Sequence, residues 1–243
     1  MKRTIFEQFK KTTAFVFVAF ACVVMATSCK KDAGSSSSSD AVSADDAAEA
    51  VSDAMIPTSG GMVAQVNNSV TLTANFNSPC GQSFDSSISV TNPAGSAITY
   101  AFNLQWSWVL KCATSELDFN FQGSSMYDAP RMSSNDSSKG SMVITGLETS
   151  KTNYTVNSSY VRNGSQQSKV LNKNSFTSTI NITSQNIQVS KSTDEIVSGT
   201  ATIQISGAST SGKSFSFSGT ITFNGDKTAT LDLGNGNTYT ITW

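Results

Sequence analysis

Alternation constrains this chain more than any other feature. Val70, Leu72, Ala74 and Phe76 alternate with Ser69, Thr71, Thr73 and Asn75. Ile98, Tyr100, Phe102, Leu104, Trp106, Trp108 and Leu110 alternate with mostly polar partners, and Leu117, Phe119 and Phe121 follow after a turn. The pattern returns at Ile180 and Ile182, at Ala201, Ile203 and Ile205, and at Phe215, Phe217, Ile221 and Phe223. It ends with Leu231, Leu233, Tyr239, Ile241 and Trp243. A period of two in Thr, Val, Ile and aromatic residues marks strands buried on one face. No window after residue 60 carries a helical period, so the expectation for 61–243 is strands throughout.

Turn chemistry points the same way. Asn163-Gly164 and Asn224-Gly225 sit between alternating runs and read as two-residue hairpin turns. Gly207 to Gly212 and Gly234 to Asn237 read as longer turns. Hairpins in sequence make antiparallel sheets. About a dozen strands, each with one apolar and one Ser/Thr/Asn face, predict an all-β antiparallel sandwich or partly closed barrel. No fixed-length repeat is visible, which argues against a propeller or solenoid. Many strands hold only two or three large apolar residues, too few for the lipid-facing band of a membrane barrel, about 25 Å tall.

Composition narrows the chemistry. The 243 residues include 42 Ser and 28 Thr, no His, and 14% charged residues, against roughly 25% in an ordinary soluble domain. Without His there is no Ser-His-Asp or Cys-His catalysis and no His-ligated zinc. A net charge of −1 argues against a broad nucleic-acid surface. The charge is unevenly spread: +3 over 1–28, −4 over 29–60 and zero over 61–243.

The first sixty residues differ in kind. Lys2, Arg3, Lys10 and Lys11 precede an uncharged run, Ala14 to Met25, and then Ala26-Thr27-Ser28-Cys29. A basic start, a short apolar stretch and small residues at the cut form a secretory signal. Twelve apolar residues fall short of the about 20 that span a bilayer core. After Cys29 come Gly34 and Ser35 to Ser39, a polar spacer. An acidic Ala-rich stretch, 40–55, follows. There Ser43 can cap a short helix with Asp45 and Asp46 in its first turn and a thin stripe of Ala47, Ala50, Val51 and Ala54. Pro57, Gly60 and Gly61 end it. The expected organisation is signal 1–28, tether 29–60 and β domain 61–243.

Ala26-Thr27-Ser28-Cys29 after an apolar run resembles the lipobox of bacterial lipoproteins, and Cys29-Lys30-Lys31-Asp32 resembles the start of surface lipoproteins of Bacteroidota. The resemblance implies cleavage before Cys29, a covalent lipid on Cys29, anchoring in the outer membrane and display on the extracellular face. It covers about the first 32 residues and carries nothing about the β domain.

Removing the signal and lipidating Cys29 leaves Cys80 and Cys112, a candidate disulfide in an oxidising compartment. Cys112 shares the parity of Trp106 and Trp108, which predicts that it points to the core. Trp106 and Trp108 share one strand face. They make either a sugar-stacking platform or, since Tyr100, Phe102, Leu104 and Leu110 lie on the same face, part of the core. Glu116 and Asp118 share the opposite face. Paired carboxylates serve glycoside hydrolysis, although catalytic pairs usually come from separate strands across a cleft. Asp226 and Asp232 lie at turns, where oxygen ligands can hold calcium, but no EF-hand spacing is present. No cofactor motif and no metal site are expected.

The reading from sequence is an outer-membrane lipoprotein with a non-catalytic binding or structural module. Its partners would be a neutral glycan or a surface protein. The alternatives are a carboxylate hydrolase led by Glu116, or a subunit of a cell-surface assembly joined through exposed edge strands.

Overall fold

The computed structural model describes residues 41–74, 79–170 and 173–243. The signal 1–28 and Cys29 lie outside the described residues. Ten strands form one antiparallel sheet in strict chain order. They are β1 (Ser83–Thr91), β2 (Thr99–Lys111), β3 (Glu116–Asp128), β4 (Met132–Thr145) and β5 (Asn153–Ser168). Then come β6 (Ser175–Ser190), β7 (Ile196–Ser209), β8 (Ser214–Gly225), β9 (Thr228–Asp232) and β10 (Thr238–Thr242). Among the described residues β1 pairs only with β2, and β10 only with β9, so the sheet stays open. The all-β antiparallel class read from alternation is the observed one.

Two helices precede the sheet and occupy its inner face. They are α1 (Ala44–Met55) and α2 (Met62–Ala74), joined by a short 3-10 turn at Pro57–Ser59. Ser43 caps α1 in a reciprocal capping box with Asp46, which satisfies two otherwise orphaned N–H groups. Ala47, Ala50, Val51 and Ala54 are all buried. Such small side chains let the helix axis lie close to the sheet. The turn is equally tight. A Cβ on Gly61 would lie 2.6 Å from the Ala54 carbonyl oxygen, and Gly60 adopts a left-handed φ of 68° against the Phe102 ring. Both positions exclude a side chain.

α2 corrects the expectation of strands throughout 61–243. Val70 and Leu72 belong to a helix, and Met62, Val63, Val66 and Val70 are its buried stripe. The β-branched residues suggested a strand, but a covered apolar face at helical spacing overrode their propensity. α1 likewise corrects the tether. Residues from Val42 to Met55 contribute to the same core as the strands, so the tether expected over 29–60 gives way to packed helix in its second half.

The sheet curls around this helical insert. α1 touches β5 in the middle of the sheet and β10 at its end. The Tyr239 hydroxyl donates to Asp45 Oδ1 at 2.9 Å, and Arg131 Nε reaches Glu49 Oε2 at 3.0 Å. Register shifts between β5 and β6 and between β6 and β7 mark bulges, which bend and twist a sheet.

Three of the expected turns differ: Gly207 to Ser209 belong to β7, so the turn before β8 begins only after Ser209. Asn163-Gly164 lies inside β5, and the β8–β9 turn is Asp226-Lys227, both with positive φ, rather than Asn224-Gly225. Gly164 is needed for a different reason. A Cβ there would meet Asp136 Oδ1 at 2.0 Å.

Candidate functional site

The two faces of the sheet have different chemistry, and the strand period creates both. Phe102, Leu104, Trp106 and Trp108 of β2 point inward, so Asn103, Gln105 and Ser107 point outward. Because successive strands are in register, outward residues line up in rows across the sheet. One row runs Asp85, Ser107, Asn120, Ser141, Ser159, Thr183, Thr202 and Thr220 over eight strands. The next runs Ser87, Gln105, Gln122, Lys139, Val161, Asn181, Gln204 and Ser218. At the far end Thr200, Thr222, Thr230 and Thr240 form a threonine row. Neighbours within a row stand about 4.8 Å apart and rows roughly 6.7 Å apart, as strand geometry requires.

Over β1 to β5 this face hollows into a shallow groove of about 870 Å³. Its charged residues are Asp85 and Lys139; the remainder of its polar lining is Ser, Asn and Gln. Side chains bridge the strands there, with Gln122 Nε2 donating to Gln105 Oε1 at 2.9 Å, and beside the groove Ser89 Oγ donates to Asn103 Oδ1 at 2.6 Å. Each amide or hydroxyl so engaged keeps further donor or acceptor capacity. The groove therefore offers many neutral hydrogen-bond partners at regular spacing.

The tryptophans do not form an exposed platform. Trp106 is 7% and Trp108 8% exposed, which corrects the sugar-stacking reading in favour of the core. Trp106 Nε1 donates to Gln65 Oε1 at 2.8 Å, and Gln65 Nε2 donates to the Gly60 carbonyl at 3.2 Å. The indole thereby locks α2 onto β2. Trp108 packs near the Phe84 ring, centroids 6.1 Å apart.

Glu116 and Asp118 share the outer face at the β2–β3 hairpin, as expected. Asp118 pairs with Lys111 across that hairpin, and its hydrogen bond raises the Lys111 amine. Cys80 and Cys112 are bonded, with Cα atoms 5.6 Å apart. Both cysteines are exposed, which corrects the inward orientation expected for Cys112: β2 ends at Lys111, so the parity stops there. The bond ties the segment before β1 to the end of β2.

One cluster went unrecognised in the sequence. Arg162 of β5, 2% exposed, donates from Nη2 to Asp136 Oδ2 at 2.7 Å and from Nη1 to the Asp53 carbonyl of α1 at 3.0 Å. Gln166 Nε2 donates to Asp136 Oδ1 at 2.7 Å, and Ser178 Oγ donates to Gln166 Oε1 at 2.9 Å. Ser59 Oγ donates to the Asp53 carbonyl as well. Burial pushes the Asp53 carboxyl well above the usual carboxylate range, with Arg162 partly opposing it. Burial also pushes the Tyr127 phenol up to about 12. The cluster fastens α1 to β4, β5 and β6 through charge-assisted hydrogen bonds. A signal for it was present, since Arg162 shares parity with Tyr154, Val156 and Tyr160, and a charge in an apolar register needs a partner.

No family model matches the chain, no curated protein matches it in sequence, and no solved structure matches its fold.

Proposed function

We propose that this chain is a bacterial lipoprotein, anchored in the outer membrane through a lipid on Cys29 and displayed outward. Its β domain acts as a non-catalytic binding module for a neutral, hydroxyl-rich ligand such as a polysaccharide. The observation that supports this reading is the groove across β1 to β5, whose polar lining is Ser, Asn and Gln with two charged residues, Asp85 and Lys139, beside Trp106, Phe121 and Val161. A sugar polymer presents hydroxyls at many points along its length. A ladder of neutral donors and acceptors at about 4.8 Å intervals answers that with many weak bonds, each worth about 0.5–1.5 kcal/mol net.

The experiment is a titration of the full chain with neutral and acidic polysaccharides, followed by calorimetry, with chromatography of the same mixtures. The expected result is saturable binding of a neutral polymer without cleavage. Ser141→Arg places a long cation in the groove and should abolish that binding while leaving the melting curve intact. Binding that ignores Ser141→Arg, or none at millimolar ligand, would overturn the reading. Cleavage products that vanish in Glu116→Gln would replace it with the hydrolase.

A further inference from the structure

The longer free edge of the sheet is β1. It runs nine residues, Ser83–Thr91, and pairs only with β2 among the described residues. Just beyond it, Asn92 N donates to the Tyr100 carbonyl at 3.0 Å, in the same register that carries Ser83 opposite Val109. In an antiparallel ladder the bonded residues alternate. Phe84, Ser86, Ile88 and Val90 therefore direct their main-chain groups to β2, and Ser83, Asp85, Ser87, Ser89 and Thr91 direct theirs away from the sheet. Edges are commonly protected by Lys, Pro, a bulge or shortness. β1 has no Lys, no Pro and no register shift, and Asp85 is its single charge, whereas the other free edge, β10, is only five residues long.

The inner face points the same way. Ile88 is 41% exposed although its registered neighbour Leu104 is 1% exposed. The apolar surface thus continues from Leu104 onto the edge strand.

We propose that a second copy of this chain completes this edge, β1 pairing antiparallel with β1 about a two-fold axis through Ser87. That register uses all nine residues. Ser87 meets its own copy, Asp85 meets Ser89 and Ser83 meets Thr91, and these are the residues whose N–H and C=O groups point outward. On the inner face Phe84 meets Val90, an aromatic and β-branched pair of the kind that stabilises sheets, and Ile88 gains cover beside the axis. On the outer face each Asp85 lies opposite a serine hydroxyl. Moving the axis to Asp85 would oppose two carboxylates, which is destabilising. The arrangement is isologous and closes at two copies, whereas pairing β1 with β10 would be head-to-tail and would build a larger ring or an open filament. It would also leave part of β1 unpaired. The two ten-stranded sheets would run on as one, and their outer rows with them. The inference stands independently of the polysaccharide reading.

The test is the mass of the full chain in solution by light scattering, compared under identical conditions with Ser87→Pro. The N–H of Ser87 faces outward, so proline removes nothing from the β1–β2 ladder. The expected result is a two-chain mass at micromolar concentration for the wild type and a one-chain mass for Ser87→Pro, with unchanged circular dichroism. Ser87→Cys should cross-link to its own copy with a short thiol-reactive bridge, many-fold faster than Ser89→Cys, whose copy lies about 13 Å away along the strands. A wild type that stays monomeric, including one whose edge takes up a different protein, would overturn the proposal. So would a Ser87→Pro chain that remains dimeric, or equal cross-linking of the two cysteine variants.

Discussion

Arg162→Met is the sharpest probe of how this fold holds its helical insert. Methionine fills much of the same volume but removes the donors to Asp136 at 2.7 Å and to the Asp53 carbonyl at 3.0 Å. Asp136 then keeps Gln166 at 2.7 Å and loses its counter-charge in a site where its side chain is 1% exposed. Removing one partner of a buried pair costs about 3–5 kcal/mol, because the surviving charge is left uncompensated. At 1.4 kcal/mol per decade, the folded-to-unfolded ratio falls by about 100- to 4,000-fold. For a body of this size the melting temperature should drop by roughly 6–20 °C. Urea unfolding followed by tryptophan fluorescence reads the effect directly, since Trp106 sits in the interface between α2 and β2. Asp136→Leu in the same chain supplies the control. If the pair is coupled, the double variant is less destabilised than the sum of the singles by about 1–3 kcal/mol. A single-variant cost below about 1 kcal/mol, or simple additivity, would refute the claim that this charge pair anchors α1.

Two other measurements address the same core. Burial raises the Asp53 carboxyl, so the folded state holds a proton that the unfolded chain releases near the ordinary carboxylate value of about 3.9. Its contribution is therefore full below that value and declines as pH rises toward the folded one. Asp53→Asn should gain stability relative to wild type as pH is raised from about 4 to 8; a difference in urea midpoints that stays constant with pH would count against it. Reducing the Cys80–Cys112 bond, which closes a separation of 32 residues, should cost about 3–4 kcal/mol in the chain-entropy model. A thermal melt unchanged by reductant, with free thiols verified, would show that the bond contributes little.

Much of the architecture was legible because strand periodicity is a local property. Inward Phe102, Leu104 and Trp106 and outward Asn103, Gln105 and Ser107 follow from a single parity, and so did the antiparallel class. The groove was legible only as a composition, a hydroxyl-rich face of low charge. Which residues stand side by side depends on register, and register links residues as distant as Asp85 and Thr220. β4 was hard to see because its inward positions include Ser134 and Asp136, polar residues that break the apolar alternation.

Local sequence by itself determined the period-two strands and the cap and end of α1. Each depends on neighbours within a few residues. Only the tertiary structure decided that Met62–Ala74 is a helix and that the supposed tether is core. It alone placed Trp106 against Gln65 and matched Arg162 with Asp136 and Asp53. The physical reason is common to these cases: burial sets the balance. A marginal Ala-rich helix becomes stable when a curled sheet covers its apolar stripe, and a charge can stay inside only where distant strands bring its partners to hydrogen-bond distance.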